Sequence, residues 1–207
     1  MRGIWAGLAT MFFAGMVSAQ GVADNGQSFP SQVGGIVFGT SKAQFESRCT
    51  SAGGSTTATS GSYGEAGVRC SVVPEAPTAL PPPLFLTSEM CNGAVCELDL
   101  VWTGLTNETL SDLVKAMFAK YGVKQVGDSG PDFTQLRKRC EAGDTKGRPT
   151  SITWLFTSGR AANGAWLLTG SLFLLAWCGT DGKYAAGVNY QNSEQTSRRL
   201  KANRANY

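Results

Sequence analysis

The sequence predicts an α+β fold: two helix-then-antiparallel-meander units, packed as one or two small domains and stapled by disulfides. Three observations carry that expectation. Apolar segments with strand periodicity recur in pairs joined by short turns, and each set follows a segment with helix-start chemistry. The 207 residues include 26 Gly, and only 16% are charged, a composition that favours strands and turns over a helical bundle. Six cysteines in a chain without histidine read as a covalent framework.

The elements follow in order. Residues 20–32 are polar and rich in Gly and Ser, which reads as a flexible N-terminal arm. Residues 33–38 (VGGIVF) form a short apolar strand. Ser41 and Gln44 then have the spacing of a capping box, in which each side chain satisfies a free backbone N–H of the first helical turn. This first helix runs to about Cys49 or Ala52. Residues 51–67 are Gly/Ser/Thr-rich and read as loop, and residues 68–73 as a strand carrying Cys70. Residues 74–83 contain Pro81-Pro82-Pro83, an extended connector that cannot join a central strand.

A hairpin follows, with strands at 84–90 and 95–103 about the Asn92-Gly93 turn signal. In its second strand, period-2 alternation places Cys96, Leu98, Leu100 and Trp102 on one face. Glu97 and Asp99 fall on the other, expected to face water.

The second unit opens with the strongest helix. Thr106 or Asn107 caps it. Leu110, Leu113, Val114, Met117, Phe118 and Tyr121 form an apolar stripe, and Gly122 ends it. Beyond lie a strand near 123–126, a polar stretch with Arg137-Lys138-Arg139, and strands at 151–157, 165–178 and 183–191. Gly170 marks a bulge or bend in the second of these. The division is therefore 33–103 for the first unit, 104–191 for the second and 192–207 for a basic C-terminal tail.

Residues 1–19 read as a cleavable signal peptide. Arg2 supplies the positive end, a short apolar run follows, and Val17-Ser18-Ala19 has the small-residue pattern of a cleavage site. The apolar runs at 4–16 and 165–178 are shorter than the roughly 20 residues a membrane helix needs, so no transmembrane segment is expected after signal removal. The expected location is the periplasm, with secretion into the medium as the alternative.

Cys49, Cys70, Cys91, Cys96, Cys140 and Cys178 are the site residues that the sequence names, as structural disulfides. Sequential pairing is preferred because Cys91 and Cys96 flank the Asn92-Gly93 turn. Four of the cations (Arg198, Arg199, Lys201 and Arg204) lie in the tail, so the formal charge of +3 conceals a slightly acidic body. That is not the broad basic face that nucleic acid requires.

Phe38-Gly39-Thr40-Ser41, then Gln44-Phe45, a cysteine, a Gly/Ser-rich loop and a second cysteine on a strand resemble the first half of the β-lactamase-inhibitory protein. They are also similar to the small outer-membrane-assembly lipoproteins that share its helix-plus-sheet plan. Trp102 to Glu108 and Lys120-Tyr121-Gly122 are similar to a layout common in exported bacterial proteins. The resemblance covers about a third of the mature chain and implies a protein-binding scaffold. The chain departs from the pattern in lacking a lipobox cysteine and in carrying Phe45 at an aliphatic position.

The residue inventory narrows the chemistry. Without histidine, Ser-His-Asp and Cys-His machinery is impossible, and no Ser stands three residues before a Lys. No C-x-x-C occurs, so neither a metal site nor a cofactor is expected. Glu97 and Asp99 read as solvated neighbours rather than a catalytic pair. Trp102, Trp154 and Phe156 fit core faces, while Trp166, Phe133 or Tyr190 are candidates for exposure. These features point to a non-catalytic periplasmic protein-binding module acting as an inhibitor, a chaperone-like factor or an envelope-assembly component. The alternatives are a glycan- or peptidoglycan-binding protein using sheet aromatics and, third, a hydrolase that works without histidine.

Overall fold

The computed structural model describes residues 28–61, 65–77, 81–122, 133–160, 162–163, 166–179, 182–194 and 196, without the side chain of Trp166. The expected signal peptide, the strand near 123–126 and nearly all of the basic tail lie outside the described residues. Among those described, no helix is long and apolar enough to cross a membrane.

The fold is α+β, with three helices and nine strands among the described residues. In chain order these are β1 (Gln32–Val33), β2 (Ile36–Val37), α1 (Lys42–Ser51), β3 (Thr56–Thr59), β4 (Gly67–Cys70), β5 (Phe85–Cys91) and β6 (Ala94–Leu105). Then come α2 (Asn107–Tyr121), α3 (Phe133–Glu141), β7 (Thr150–Arg160), β8 (Trp166–Cys178) and β9 (Tyr184–Asn192). Seven strands make one antiparallel sheet in the order β3-β4-β5-β6-β9-β8-β7. The pairing of β6 with β9 joins the two meanders, so the sheet runs unbroken through both units.

The expected capping box opens α1, and Thr106, one of the two expected caps of α2, forms a second one. Ser41 Oγ accepts from the Gln44 N–H, and Gln44 Oε1 accepts from the Ser41 N–H. Thr106 and Thr109 make the same reciprocal pair at the start of α2. Such pairs satisfy donors that the first helical turn leaves open. Gly122, at φ 82°, ends α2.

Several local expectations are corrected. Residues 33–38 are not one strand. Gly34 and Gly35 adopt φ of 58° and 79°, and the chain folds there into the β1–β2 hairpin. Residues 51–67 are not all loop, because Thr56–Thr59 pairs with β4 as an edge strand. The polar stretch with Arg137-Lys138-Arg139 belongs to α3, which buries Leu136 and Cys140 on one side, four residues apart, turns Arg137 and Lys138 to solvent and leaves Arg139 half-buried. Cys96 does not share the face of Leu98, Leu100 and Trp102. A β-bulge pairs Glu89 with Glu97 and Met90 with Val95, which leaves Cys96 as the inserted residue.

Ladder register sorts the sheet into two faces. Leu86, Leu98, Leu100, Val188, Leu174 and Trp154 share one face and form the core. All three helices pack on that side. Phe45 and Cys49 of α1 are buried there, and Tyr121 of α2 sets its ring against Trp154, Phe156 and Tyr190. Trp102 Nε1 donates to Pro81 O at 2.7 Å and Trp154 Nε1 to Gly122 O at 3.0 Å, so both buried indoles are satisfied.

The disulfides pair in sequence order: Cys49–Cys70, Cys91–Cys96 and Cys140–Cys178, with Cα separations of 5.7, 5.7 and 5.2 Å. The first ties α1 to β4, the second closes the β5–β6 hairpin, and the third ties α3 to β8. Each holds elements that the sheet ladder alone does not join or, for the hairpin, pins its turn.

Phe29, at the end of the expected N-terminal arm, packs against the core. Its ring contacts Phe38 and Phe156 and lies directly on Gly170. The bulge expected near Gly170 is present, since the β7–β8 register shifts between Phe156 and Thr157. The glycine serves close approach as well as irregularity.

Candidate functional site

No described helix crosses the second face of the seven-stranded sheet. Alternation and register fix its composition. One row across the strands reads Arg69, Thr87, Asp99, Asn189, Phe173 and Thr153. The row on one side reads Glu89, Glu97, Gln191, Ser171 and Leu155, and that on the other Phe85, Val101, Gly187, Leu175 and Ser151. Neighbouring strands lie about 4.8 Å apart, so side chains along each row are in mutual reach. The face is thus polar over β5, β6 and β9 and apolar over β8.

The apolar part comprises Phe173, Leu175 and Trp177 on β8 with Leu155 on β7, all partly exposed. A Cβ at Gly187 would lie 3.6 Å from the Trp177 ring, so the indole leans over that glycine's backbone. Phe85 adds a second aromatic position two strands beyond β9, with the Arg69 guanidinium 4.4 Å from its ring centroid.

The polar part is built around Asp99. Asn189 Nδ2 donates to Asp99 Oδ1 at 2.7 Å, and Thr87 Oγ1 donates to Asp99 Oδ2 at 3.4 Å. Burial raises the Asp99 carboxyl from its ordinary 3.8 to about 6, with Glu89 adding to the rise and the two hydrogen bonds opposing it. Asn189 Oδ1 and Arg69 Nε are buried without a hydrogen-bond partner. Unmatched polar atoms of this kind cost free energy in the isolated chain.

Alternation alone suggests that water bathes both Glu97 and Asp99, but only Asp99 is partly exposed. Glu97 is 5% exposed, because β6 is central in the sheet and flanked on both sides. The sequence candidates for exposed aromatics are also redistributed. Tyr190 is 4% exposed and lies on the helix-covered face. Phe133 packs against the core. The Trp166 side chain lies outside the described residues. Among the described residues, Phe173 and Trp177, with Phe85 two strands beyond β9, are instead the partly exposed aromatics of the helix-free face. The signal of Phe173 and Trp177 was hidden because β8 is apolar at odd and even positions alike, so alternation cannot say which set is the core.

Two concavities lie elsewhere. A shallow groove of about 420 Å³ runs between the β1–β2 hairpin and α1, lined by Ile36, Gln44 and Arg48. A smaller pocket of about 210 Å³ is lined by Glu75, Lys120, Tyr121 and Tyr190. Burial and the neighbouring Tyr121 push the Tyr190 hydroxyl well above its ordinary range, so it remains a neutral phenol. Among the described residues, Glu75 is the one carboxylate lining this pocket. Among the described residues, no group of three or more Cys, Asp or Glu has an arrangement that would hold a metal ion. The six cysteines all stand as disulfides rather than as reactive thiols.

Compared with known proteins, the chain matches no family model and is significantly similar to no curated protein and no solved structure.

Proposed function

We propose that this chain is a non-catalytic protein-binding module of the periplasm and that the helix-free face of its sheet is the contact surface. The three disulfides fit an oxidising, extracytoplasmic compartment. The observation that carries the reading is the juxtaposition, on one face, of the partly exposed Phe173–Leu175–Trp177 strip with the partly exposed Asp99 carboxylate that Asn189 holds. A partner that covered the face would bury the rings and could set a cation against that carboxylate. The partner's complementary group is a Lys or Arg set against the partly exposed Asp99, next to an apolar side chain set against β8. The resemblance to the β-lactamase-inhibitory protein and the outer-membrane-assembly lipoproteins agrees with this role as inhibitor, chaperone-like factor or assembly component.

The test is a pull-down from periplasmic extract with the purified protein as bait, run beside Trp177→Ala and Asn189→Ala. A stoichiometric partner held by the parent chain and lost from both variants supports the reading. A central aromatic contact of this type is worth about 2 kcal/mol, or roughly 30-fold in Kd. A partner retained equally by both variants removes this face from consideration. The second reading, glycan binding, draws on Trp177, whose indole lies over the Gly187 backbone. Retention on peptidoglycan that is lost in Trp177→Ala, with no protein partner recovered, would establish it in place of the first.

A further inference from the structure

We infer that β7 is a dimerisation edge, at which the strand pairs antiparallel with β7 of a second copy of this chain to continue the sheet across a two-fold axis. The ladder stops at β7: the strand pairs with β8, and no other described strand lies on its far side. An 11-residue edge strand presents a long row of backbone donors and acceptors. Edges of this length are ordinarily blunted by Lys, Pro, an inward-pointing charge or brevity. The opposite edge uses brevity, since β3 has only 4 residues. In β7, residues 150–159 (TSITWLFTSG) contain no charged residue and no Pro.

The side-chain pattern fits its own reverse. Ile152, Trp154 and Phe156 point to the core, while Ser151, Thr153, Leu155 and Thr157 point to the helix-free face. A two-fold axis perpendicular to the sheet at Trp154 sets Ile152 against Phe156 of the other copy, Thr153 against Leu155 and Ser151 against Thr157. Every pair joins residues of one face, so both helix layers fall on the same side, as period-2 register demands. The pairs are aromatic with β-branched (Ile152–Phe156), aliphatic with β-branched (Thr153–Leu155) and hydroxyl with hydroxyl (Ser151–Thr157), none of them unfavourable as cross-strand neighbours. The paired segment stays within the regular part of β7, short of the irregularity between Thr157 and Arg160. No like charges meet along it. The interface is isologous and closes at two copies, so it does not propagate into fibres.

The test places charges at two facing positions and reads molar mass by light scattering or sedimentation equilibrium. The parent chain is expected to be a dimer. The double variant Thr153→Lys, Leu155→Lys sets ammonium groups opposite each other and is expected to be a monomer with an unchanged far-UV circular dichroism spectrum. Thr153→Lys, Leu155→Glu sets opposite charges at the same positions and is expected to restore the dimer. Hydrogen exchange on the parent chain supplies a measurement free of substitutions. Outward-directed amides within 151–157 should exchange on the order of tenfold faster once dilution separates the copies. A parent chain that is monomeric at all accessible concentrations overturns the inference. A dimer that survives the Lys pair does so too. A monomer that retains a foreign extended peptide on β7 overturns the second copy as occupant and gives the edge to β-strand addition by another protein.

Discussion

Asn189 and Asp99 face each other across the central β6–β9 pairing, and the amide donates to the carboxylate at 2.7 Å. This contact sits at the seam where the two meanders become one sheet. The oxygen of the same Asn189 amide is buried without a partner. The carboxylate is therefore held where burial disfavours its charge and where a cationic partner group would relieve the cost.

The pH dependence follows from that geometry. The folded-state value of Asp99, about 6, lies above the ordinary 3.8, so the native chain holds its proton to higher pH than the unfolded chain does. Below about pH 4 the carboxyl is protonated in both states and costs nothing. Stability should fall as pH rises from about 4 to 6. The isosteric Asp99→Asn variant lacks that fall. Urea denaturation of both proteins at pH 4 and pH 7 should show the parent losing on the order of 1–3 kcal/mol relative to the variant. A constant difference between them would contradict the assignment.

Gly170 should tolerate no side chain while Phe29 is in place. A Cβ there would collide with the Phe29 ring, so Gly170→Ala should destabilise the chain by about 1–3 kcal/mol. In the Phe29→Ala background the same change should cost far less, because the obstructing ring is gone. A double-mutant cycle by chemical denaturation measures the coupling. Additive effects would mean that the arm does not rest on β8 in solution.

The disulfides should differ in worth according to the loop each closes. Cys140–Cys178 spans 38 residues of sequence and Cys91–Cys96 spans 5. Paired Cys→Ser substitution should cost about 4 kcal/mol for the first and about 2 kcal/mol for the second, on loop-closure entropy. Equilibrium unfolding under non-reducing conditions reads both values, and a reversed order would show that strain or residual structure outweighs chain entropy.

Thr106 should contribute about 1 kcal/mol as the cap of α2. Its hydroxyl accepts from the Thr109 N–H at 3.2 Å. Thr106→Ala removes that acceptor, while Thr106→Ser keeps it and should restore most of the loss. Thermal unfolding of the two variants separates capping from a packing role of the methyl group.

What could be read from sequence was local in origin. Ser41 with Gln44 and the Leu110-to-Tyr121 stripe announce helices through contacts within a few residues. Asn92-Gly93 between two apolar runs announces a hairpin, and places Cys91 near Cys96. Pro81-Pro82-Pro83 excludes a central strand for lack of N–H donors. Helix α3 was not read as one, although Leu136 and Cys140 have the spacing of a buried helix face. Its run of cations obscured that pair, although cations on the outer face of a helix are ordinary.

By itself, then, the sequence determined the α+β class, the order of most elements, the caps and the presence of a sulfur framework. Local geometry and side-chain chemistry suffice for those. Only the tertiary structure decided that β6 meets β9, that Glu97 is buried, and that Phe173 and Trp177 rather than Tyr190 occupy the helix-free face. The physical reason is that a strand's alternation defines two faces without labelling either. Which one becomes the core depends on where distant helices pack, and a strand apolar on both sides, such as β8, contains no signal to choose between them.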